Sequence, residues 1–191
     1  MKPYEAAALV KPSPRQLEWQ KTEFYGFINF GLPTVVNREW TDGTIGAENF
    51  NPSEFDPEEW VTLFKDAGFK GMVLNVKHHD GFCLWYSKLT DYTVEYSSEW
   101  DSYERDIVKM LSEECRRQGL KFGIAISPLD RHEKTYGTGE AYNEFFKGLL
   151  KELLTNYGDI FYVRFDGAAE PDKHGNIQEY DWHGYYDTVR K

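Results

Sequence analysis

Polar side chains follow four apolar segments of this sequence, at points where reactive groups would meet if the segments were parallel strands. Asn29 follows the first segment, the run Lys77-His78-His79-Asp80 the second, Asp130-Arg131-His132 the third and Asp166 the fourth. In a barrel of parallel strands, catalytic groups collect on the face formed by the carboxyl ends of the strands. The pattern therefore predicts one polar site assembled from several strand ends.

Asp166 is the first candidate for chemistry at this site. Phe165-Asp166-Gly167 ends an apolar segment, so the carboxylate is expected at the barrel mouth, with a glycine beside it that lets a ligand approach. This is the position of a nucleophile or a general base. The alternative is that Asp166 caps the following loop, a common role for Asp before Gly.

The two adjacent histidines are candidates for holding a substrate. Neighbouring residues on an extended chain point to opposite faces, so we expect that His78 and His79 do not chelate one metal ion. One ring is expected to face the pocket and the other its wall, with Asp80 or Glu39 fixing a tautomer. The alternative is that each is a structural histidine with its hydrogen bonds satisfied.

Aromatic residues in predicted loops offer flat faces against which a sugar can pack. The sequence has six Trp and thirteen Tyr, and those in predicted loops include Trp40, Trp85, Tyr86, Trp100 and Tyr136. Trp40 and Trp85 stand in turn-like polar contexts, where a core residue is less expected. The alternative is that these rings fill a barrel core.

Carboxylates are numerous enough for glycoside hydrolysis. That reaction normally needs two carboxyl groups, about 5 to 5.5 Å apart with retention and about 6.5 to 9.5 Å apart with inversion. The candidates for the mouth are Glu39, Asp80, Asp130, Glu133 and Asp166. The sequence leaves open which two oppose each other.

Composition narrows the class of partner. The 191 residues are 40% hydrophobic and carry 32 acidic against 22 basic residues, a formal charge of -10 that disfavours nucleic acid and anionic membranes. Cys83 and Cys115 have no metal-binding or redox motif near them and are expected to be packed thiols. No apolar run suits a signal peptide or a membrane span, so the chain is expected to be soluble, and periplasmic or secreted if a leader has been removed.

Strands and helices alternate along the chain. Strands are predicted over 24–31, 71–76, 121–126 and 160–165, and helices from Asp56 to Gly68, around Ile107 to Gly119, over about 141–156 and from Trp182 onward. In the first helix, Trp60, Leu63, Phe64 and Ala67 form the predicted apolar stripe. This order predicts an α/β fold with a parallel sheet, either doubly wound or a (β/α)8 TIM barrel, and the polar strand ends favour the barrel. No glycine-rich nucleotide-binding motif is present.

Four ordered motifs carry a resemblance to a known family. They are the FG-L-P-T segment followed by Arg38-Glu39-Trp40, then KHHDGF at 77–82, SPLDRHE at 127–133, and Asn156-Tyr157-Gly158 leading to Phe165-Asp166-Gly167. From about Pro14 onward the chain resembles the alpha-L-fucosidases of glycoside hydrolase family 29.

The resemblance implies a retaining hydrolysis of terminal alpha-L-fucose from a fucosylated oligosaccharide or glycoconjugate. Asp166 would attack the anomeric carbon and form a fucosyl-enzyme ester, with no metal or organic cofactor. The residues expected to bind substrate are Asn29, Glu39, Trp40, His78, His79, Tyr136 and Arg164.

Three positions depart from the family pattern. The family usually has His at position 29, and Trp at the positions of Leu129 and Arg164 in this sequence. If Arg164 shares the site, its cation would lower the pKa of Asp166 and pair with it. These changes keep open an alternative function, a degenerate, non-catalytic carbohydrate-binding or interaction module.

Length is the other departure. Family members complete eight strands and place the acid/base carboxylate beyond the nucleophile, whereas four strands are predicted here. We therefore expect residues 1–191 to be a single truncated barrel domain that lacks its second half, the acid/base residue and any C-terminal β-sandwich. The open sheet edges make self-association, including a dimer of half barrels, a further expectation.

Overall fold

The computed structural model describes residues 2–98, 100, 102–167 and 169–191. Within these residues the strands are β1 (Tyr25–Ile28), β2 (Gly71–Lys77), β3 (Lys121–Ile126) and β4 (Ile160–Phe165). The helices are α1 (Pro3–Ala8), α2 (Pro14–Thr22), α3 (Leu32–Val35), α4 (Pro57–Asp66), α5 (Ile107–Gln118), α6 (Glu140–Asn156) and α7 (Trp182–Arg190). Short 3-10 turns lie at Ala47–Asn49 and Val94–Tyr96.

The four strands form one parallel sheet in the order β1-β2-β3-β4. Helices α4, α5 and α6 lie between successive strands in the chain, so each crossover returns to the same end of the sheet. The predicted α/β class and parallel sheet are confirmed. β3 and β4 have the predicted bounds, while β1 is shorter than the predicted 24–31.

Helix ends follow the local signals. The Asp56 carboxylate accepts hydrogen bonds from the backbone amides of Glu58 and Glu59 at the start of α4, as an N-cap does. Gly119 ends α5 with a φ of 81°, a conformation that costs glycine little. The predicted stripe of α4 is partly wrong, because Val61 is buried whereas Leu63 is 60% exposed.

The two N-terminal helices were not predicted, although α2 has a readable start. The Ser13 hydroxyl accepts from the Gln16 amide and the Gln16 side chain accepts from the Ser13 amide, which is a capping box followed by proline at the first turn. The Trp19 ring of α2 then stacks on Tyr162 of β4, 6.0 Å between centroids.

The sheet has two different faces. On the helix-covered face, alternate residues such as Met72, Leu74 and Ile124 are fully buried in the main hydrophobic core. On the opposite, inner face the ring of Phe161 lies against Gly71 and Gly123, where an added Cβ would approach it to 3.0 and 2.9 Å. The inner face is therefore lined by aromatic rings over glycines.

The aromatic loop residues divide into core and surface. Trp85 is fully buried and its indole N–H donates to the Glu152 carboxylate of α6 at 3.0 Å, so the expectation that it offers a face to a sugar is wrong. The polar group that Trp85 contacts is thus the Glu152 carboxylate and not solvent. Trp100 is also buried, whereas Trp40 is 56% exposed.

Cys83 and Cys115 are free and buried, as predicted. Burial raises the pKa of the Cys115 thiol to about 12, which keeps it protonated and unreactive at neutral pH. Among the described residues, no helix has both the length and the apolar character needed to cross a bilayer.

Candidate functional site

The site lies at the carboxyl edge of the sheet, where four strands end in polar residues. Asn29 follows β1, His78 and His79 follow β2, Ser127 follows β3 and Asp166 follows β4. Donor atoms of His78, His79 and Asp166 all lie within 4.8 Å of one another. The structure thus brings together His78 and His79 from the end of β2 and Asp166 from the end of β4.

A β-bulge sets the orientation of Asp166. Phe122 pairs with Ile160 and Ile124 with Val163, so Phe161 and Tyr162 together oppose the single residue Gly123. The extra residue shifts the alternation of β4 by one position. Beyond it Ala125 pairs with Arg164, and the amide of Asp166 donates to the carbonyl of Ile126 at 3.2 Å. The Asp166 carboxylate therefore reaches the inner face and is 38% exposed.

The expectation that His78 and His79 point apart is wrong. Their ring centroids are 4.3 Å apart, and both contribute to the same cluster as Asp166. The reason is local, because these residues are not on an extended strand. β2 ends at Lys77 after a register shift, and the chain turns at once, with the Gly81 amide donating to the His78 carbonyl at 3.1 Å.

His79 lies between two polar partners. Its Nε2 atom is 3.7 Å from the Asp166 carboxylate and its Nδ1 atom is 2.6 Å from the Ser127 hydroxyl. Burial, followed by the neighbouring His78, lowers the pKa of His79 to about 4, and Asp166 opposes the shift. The ring is therefore neutral at pH 7. Because Nε2 faces a carboxylate, the tautomer with hydrogen on Nε2 is favoured. The Ser127 hydroxyl then donates to Nδ1.

Ser127 begins the SPLDRHE motif, and the sequence does not predict its contact with His79. It is fully buried and its hydroxyl also accepts from the Leu129 amide at 3.1 Å. Asp80, expected to fix a histidine tautomer, instead accepts from the Thr41 hydroxyl at 2.7 Å and the Phe82 amide at 3.1 Å. Burial raises the pKa of Asp80. At Nδ1 of His79 the contact is therefore made by Ser127 and not by Asp80.

A second part of the site lies beside His78. Asn29, Glu39 and His78 line a cavity of about 150 Å³ together with residues of the loop after β1. The side-chain amides of Asn29 and Asn75 are 2.8 Å apart, which fixes Asn29 on the inner face. Burial lowers the pKa of His78, while Asp80 and Asp166 oppose that shift. Through His78, this cavity adjoins the cluster that holds Asp166.

Trp40 and Tyr136, which are also predicted to bind substrate, are not among the residues that line this cavity. Trp40 adjoins Glu39 in the chain and exposes more than half of its surface. Tyr136 lines a different cavity, of about 290 Å³, with Arg131 and Glu170, and its hydroxyl donates to the Glu170 carbonyl. The structure thus places Tyr136 apart from the Asn29, Glu39 and His78 cavity.

Arg164 does not pair with Asp166. Its guanidinium lies 5.2 Å from the centroid of the Phe27 ring, across the inner face of the sheet, a distance typical of a cation–π contact. The Asp166 carboxylate instead faces the neutral ring of His79, 3.7 Å from its Nε2 atom. The predicted pairing of Arg164 with Asp166 is therefore wrong, because the guanidinium lies over Phe27.

A buried ion pair supports the loop next to the site. The Lys77 ammonium lies 2.9 Å from the Asp130 carboxylate, and both side chains are almost completely buried. The other Asp130 oxygen accepts from the backbone amides of His132 and Glu133. Asp130 was a candidate for the mouth, but its oxygens are engaged in holding the loop after β3. Gly81, with a φ of 90°, packs so close that an added Cβ would lie 2.3 Å from this carboxylate.

Comparisons with known proteins agree with these features. Residues 13–189 match the family model described as Alpha-L-fucosidase. Alpha-L-fucosidase 1 of Arabidopsis thaliana is 42% identical over 168 residues, which are 88% of this chain and 33% of that protein.

Solved structures give the same family. A Bacteroides ovatus crystal structure, provisionally described as an alpha-L-fucosidase, is 46% identical with a TM-score of 0.88, covering 94% of this chain and 31% of that one. A Ruminococcus gnavus GH29 fucosidase in complex with fucose is 35% identical with a TM-score of 0.83, covering 95% of this chain and 40% of that one. The chain thus spans about a third of the length of the relatives it matches. On these matches, the chain belongs to the alpha-L-fucosidase family, glycoside hydrolase family 29.

Proposed function

We propose that this chain carries the fucose-binding part and the nucleophile of a retaining alpha-L-fucosidase, with Asp166 attacking the anomeric carbon. The observation that carries the proposal is the Asp166 carboxylate at the end of β4, partly exposed and 3.7 Å from His79. A nucleophile of this kind must reach a sugar carbon while a neighbouring group orients it. The partial exposure of Asp166 and its closeness to His79 support this role.

The surrounding residues suit a neutral, hydroxyl-rich ligand. His78 and His79 both have lowered pKa values, and neutral imidazoles donate to or accept from hydroxyl groups. Glu39 and Asn29 add acceptors and donors on the adjoining cavity. The exposed ring of Trp40 offers an apolar face for the C–H side of a sugar. Fucose bound to the Ruminococcus gnavus relative supports fucose as the sugar.

Tyr136 and Arg164 belong to the proposal in a lesser role. Tyr136 lines the larger cavity beyond the strand ends, where the rest of a glycan would lie. Arg164 reaches across the inner face to Phe27, and we propose that it shapes the floor beneath Asp166.

The proposed acid/base carboxyl lies outside this chain. Most of the candidate carboxylates at the mouth are already engaged: Asp80 and Asp130 are buried and bonded, and Glu133 accepts from Thr135. We further propose that the four strands form the first half of a (β/α)8 barrel in a single truncated catalytic domain. High similarity to about a third of each longer relative supports that assignment.

Two measurements on the 191-residue chain test the proposal. Calorimetric titration with L-fucose should give saturable binding that weakens in Glu39→Gln and is unchanged in Asp159→Asn, a matched acidic residue at the opposite end of β4. A natural fucosylated oligosaccharide should show no turnover, because leaving-group protonation lacks its donor. An activated aryl fucoside needs little protonation, but it should show no sustained turnover because hydrolysis of the fucosyl-enzyme ester lacks its general base. Turnover of the oligosaccharide that is lost in Asp166→Ala would contradict an external acid/base.

The alternative is a non-catalytic fucose-binding module. Asn29 favours this alternative, because the family usually has histidine at this position. The Asn29 side-chain amide is hydrogen-bonded to that of Asn75. Fucose binding without any reaction of Asp166, even with an activated fucosyl donor, would support the module.

A further inference from the structure

The cluster of His78, His79 and Asp166 has the donor set of a transition-metal site. Two imidazoles and a carboxylate suit zinc, which binds nitrogen at about 2.0 to 2.1 Å and carboxylate oxygen at about 2.0 to 2.2 Å. In a tetrahedral site, donors held at those bond lengths are about 3.3 to 3.5 Å apart. His79 Nε2 and Asp166 Oδ2, at 3.7 Å, already approach this spacing.

We infer that His78, His79 and Asp166 form an inhibitory Zn²⁺ site. The bound ion would take up the carboxylate and the two imidazoles that the sugar needs. The inhibitory consequence rests on the proposed function, whereas binding of the ion does not. All three side chains are half-buried, so an ion can reach them from solvent. Three protein ligands leave the fourth zinc position for water, as in open zinc sites.

The residue behind His79 supports this assignment. Metal-binding histidines usually donate their other ring N–H to a fixed acceptor. The Ser127 hydroxyl lies 2.6 Å from His79 Nδ1 and is held by the Leu129 amide. A hydroxyl both donates and accepts, so Ser127 can accept from Nδ1–H and leave the Nε2 lone pair for zinc.

His78 is able to complete the site. Its Nδ1 atom is buried and has no hydrogen-bond partner among the described residues, so turning the ring toward the ion breaks no hydrogen bond at that atom. The donors of the cluster lie at most 4.8 Å apart. Closing them to zinc spacing requires at most about 1.5 Å of movement, which ring rotation provides.

The local charges favour a cation. Arg164 lies over Phe27 and Lys77 is paired with Asp130, so neither neutralises Asp166 in an ion pair. Arg131, whose charge also acts on the two histidines, is paired with Glu170. The Asp166 carboxylate therefore remains available to attract a divalent ion. The formal charge of -10 on the chain adds a long-range attraction.

The test is a calorimetric titration of the metal-free chain with ZnCl₂ in a non-chelating buffer. We expect one saturable site per chain, weakened about a hundredfold in His79→Gln and in Asp166→Asn, and about tenfold in Ser127→Ala. The control variant His183→Gln, an exposed histidine on α7, should bind as the unsubstituted chain does. Mg²⁺ should give no comparable site, because it prefers an all-oxygen, octahedral environment.

A second readout decides the matter if a variant fails to fold. Co²⁺ bound to nitrogen and oxygen ligands gives visible absorption bands. On the unsubstituted chain, one equivalent of Zn²⁺ should displace Co²⁺ and abolish these bands. Absence of saturable binding to that chain, or binding that His79→Gln and Asp166→Asn leave intact, would overturn the inference.

Competition separates this inference from the proposed function. Zinc should weaken the binding of fucose, and fucose the binding of zinc. Zinc binding at the cluster without any fucose binding would leave the metal site standing and remove the proposed function. Fucose binding that saturating zinc leaves unaffected would remove the inhibitory site alone.

Discussion

The Ser127 hydroxyl lies 2.6 Å from Nδ1 of His79, on the side of the ring opposite Asp166. Together with Asp166, which favours hydrogen on Nε2, this serine holds the His79 ring in one tautomer by donating to Nδ1. Because the contact joins β3 to the turn after β2, it also links two strand ends of the site.

Replacement of Ser127 by alanine should weaken fucose binding about fivefold, the equivalent of one hydrogen bond of about 1 kcal/mol. The nitrogen-15 chemical shifts of the His79 ring should change in the same variant, because the tautomer is no longer fixed. Ser127→Thr keeps the hydroxyl and should retain the shifts. Unchanged ring shifts in Ser127→Ala would show that Ser127 does not set the tautomer.

The buried pair of Lys77 and Asp130 should be important for stability. Lys77→Met leaves a buried carboxylate without its cation, so we expect a loss of about 3 to 5 kcal/mol in the free energy of unfolding by urea. Adding Asp130→Asn, which keeps an acceptor for the loop amides, should recover part of that loss.

A surface pair provides the control for that measurement. Lys109 contacts Glu104 with about half of its side chain exposed, so Lys109→Met should cost at most about 1 kcal/mol. Equal losses in Lys77→Met and Lys109→Met would contradict the importance given to the buried pair.

The two tryptophans in polar contexts should behave oppositely. Trp85 is fully buried and bonded to Glu152, so Trp85→Ala should lower the free energy of unfolding by about 3 to 5 kcal/mol. Trp40→Ala should change stability by no more than about 0.5 kcal/mol while weakening fucose binding. A stability loss in Trp40→Ala as large as that in Trp85→Ala would contradict this division.

Asp106 should give stability an unusual pH dependence. Its carboxylate caps α5 through the Lys109 amide and accepts from the Tyr157 hydroxyl, and burial raises its pKa above 3.8. The folded state therefore binds more protons than the unfolded state between 3.8 and the raised pKa. The contribution of Asp106 to stability is greatest below that interval and declines as pH rises through it.

Asp106→Asn isolates this effect, since asparagine caps helices nearly as well. The free energy of unfolding of the unsubstituted chain, minus that of the variant, should fall as pH rises above 3.8 and then level off. A difference that grows with pH would have the wrong sign for a carboxyl group with a raised pKa.

The backbone elements of the sheet could be predicted from sequence because their signals are local. The apolar runs of β3 and β4, the Asp56 cap and Gly119 each act within a few residues. The stripe of α4 does not follow from spacing alone, since Leu63 has the right spacing but is 60% exposed. The capping box at Ser13 was equally local and would have revealed α2.

The contacts of the site depend on features that the sequence does not show directly. The proximity of His78 and His79 arises from the turn after β2, and the inward direction of Asp166 depends on the bulge opposite Gly123. The Ser127 contact requires the register of β2 against β3. The burial of Trp85 depends on Glu152, far away in the chain.

Covalent labelling of Asp166 tests the central claim most directly. 2-Deoxy-2-fluoro-L-fucosyl fluoride carries a leaving group that needs little protonation, so a nucleophile can react without an acid/base partner. The account predicts one added fluorofucosyl group in the intact mass, located on Asp166 by peptide mapping, absent in Asp166→Asn and present in Asp159→Asn. A label on another carboxylate, or an unlabelled chain that binds fucose, would contradict Asp166 as the nucleophile.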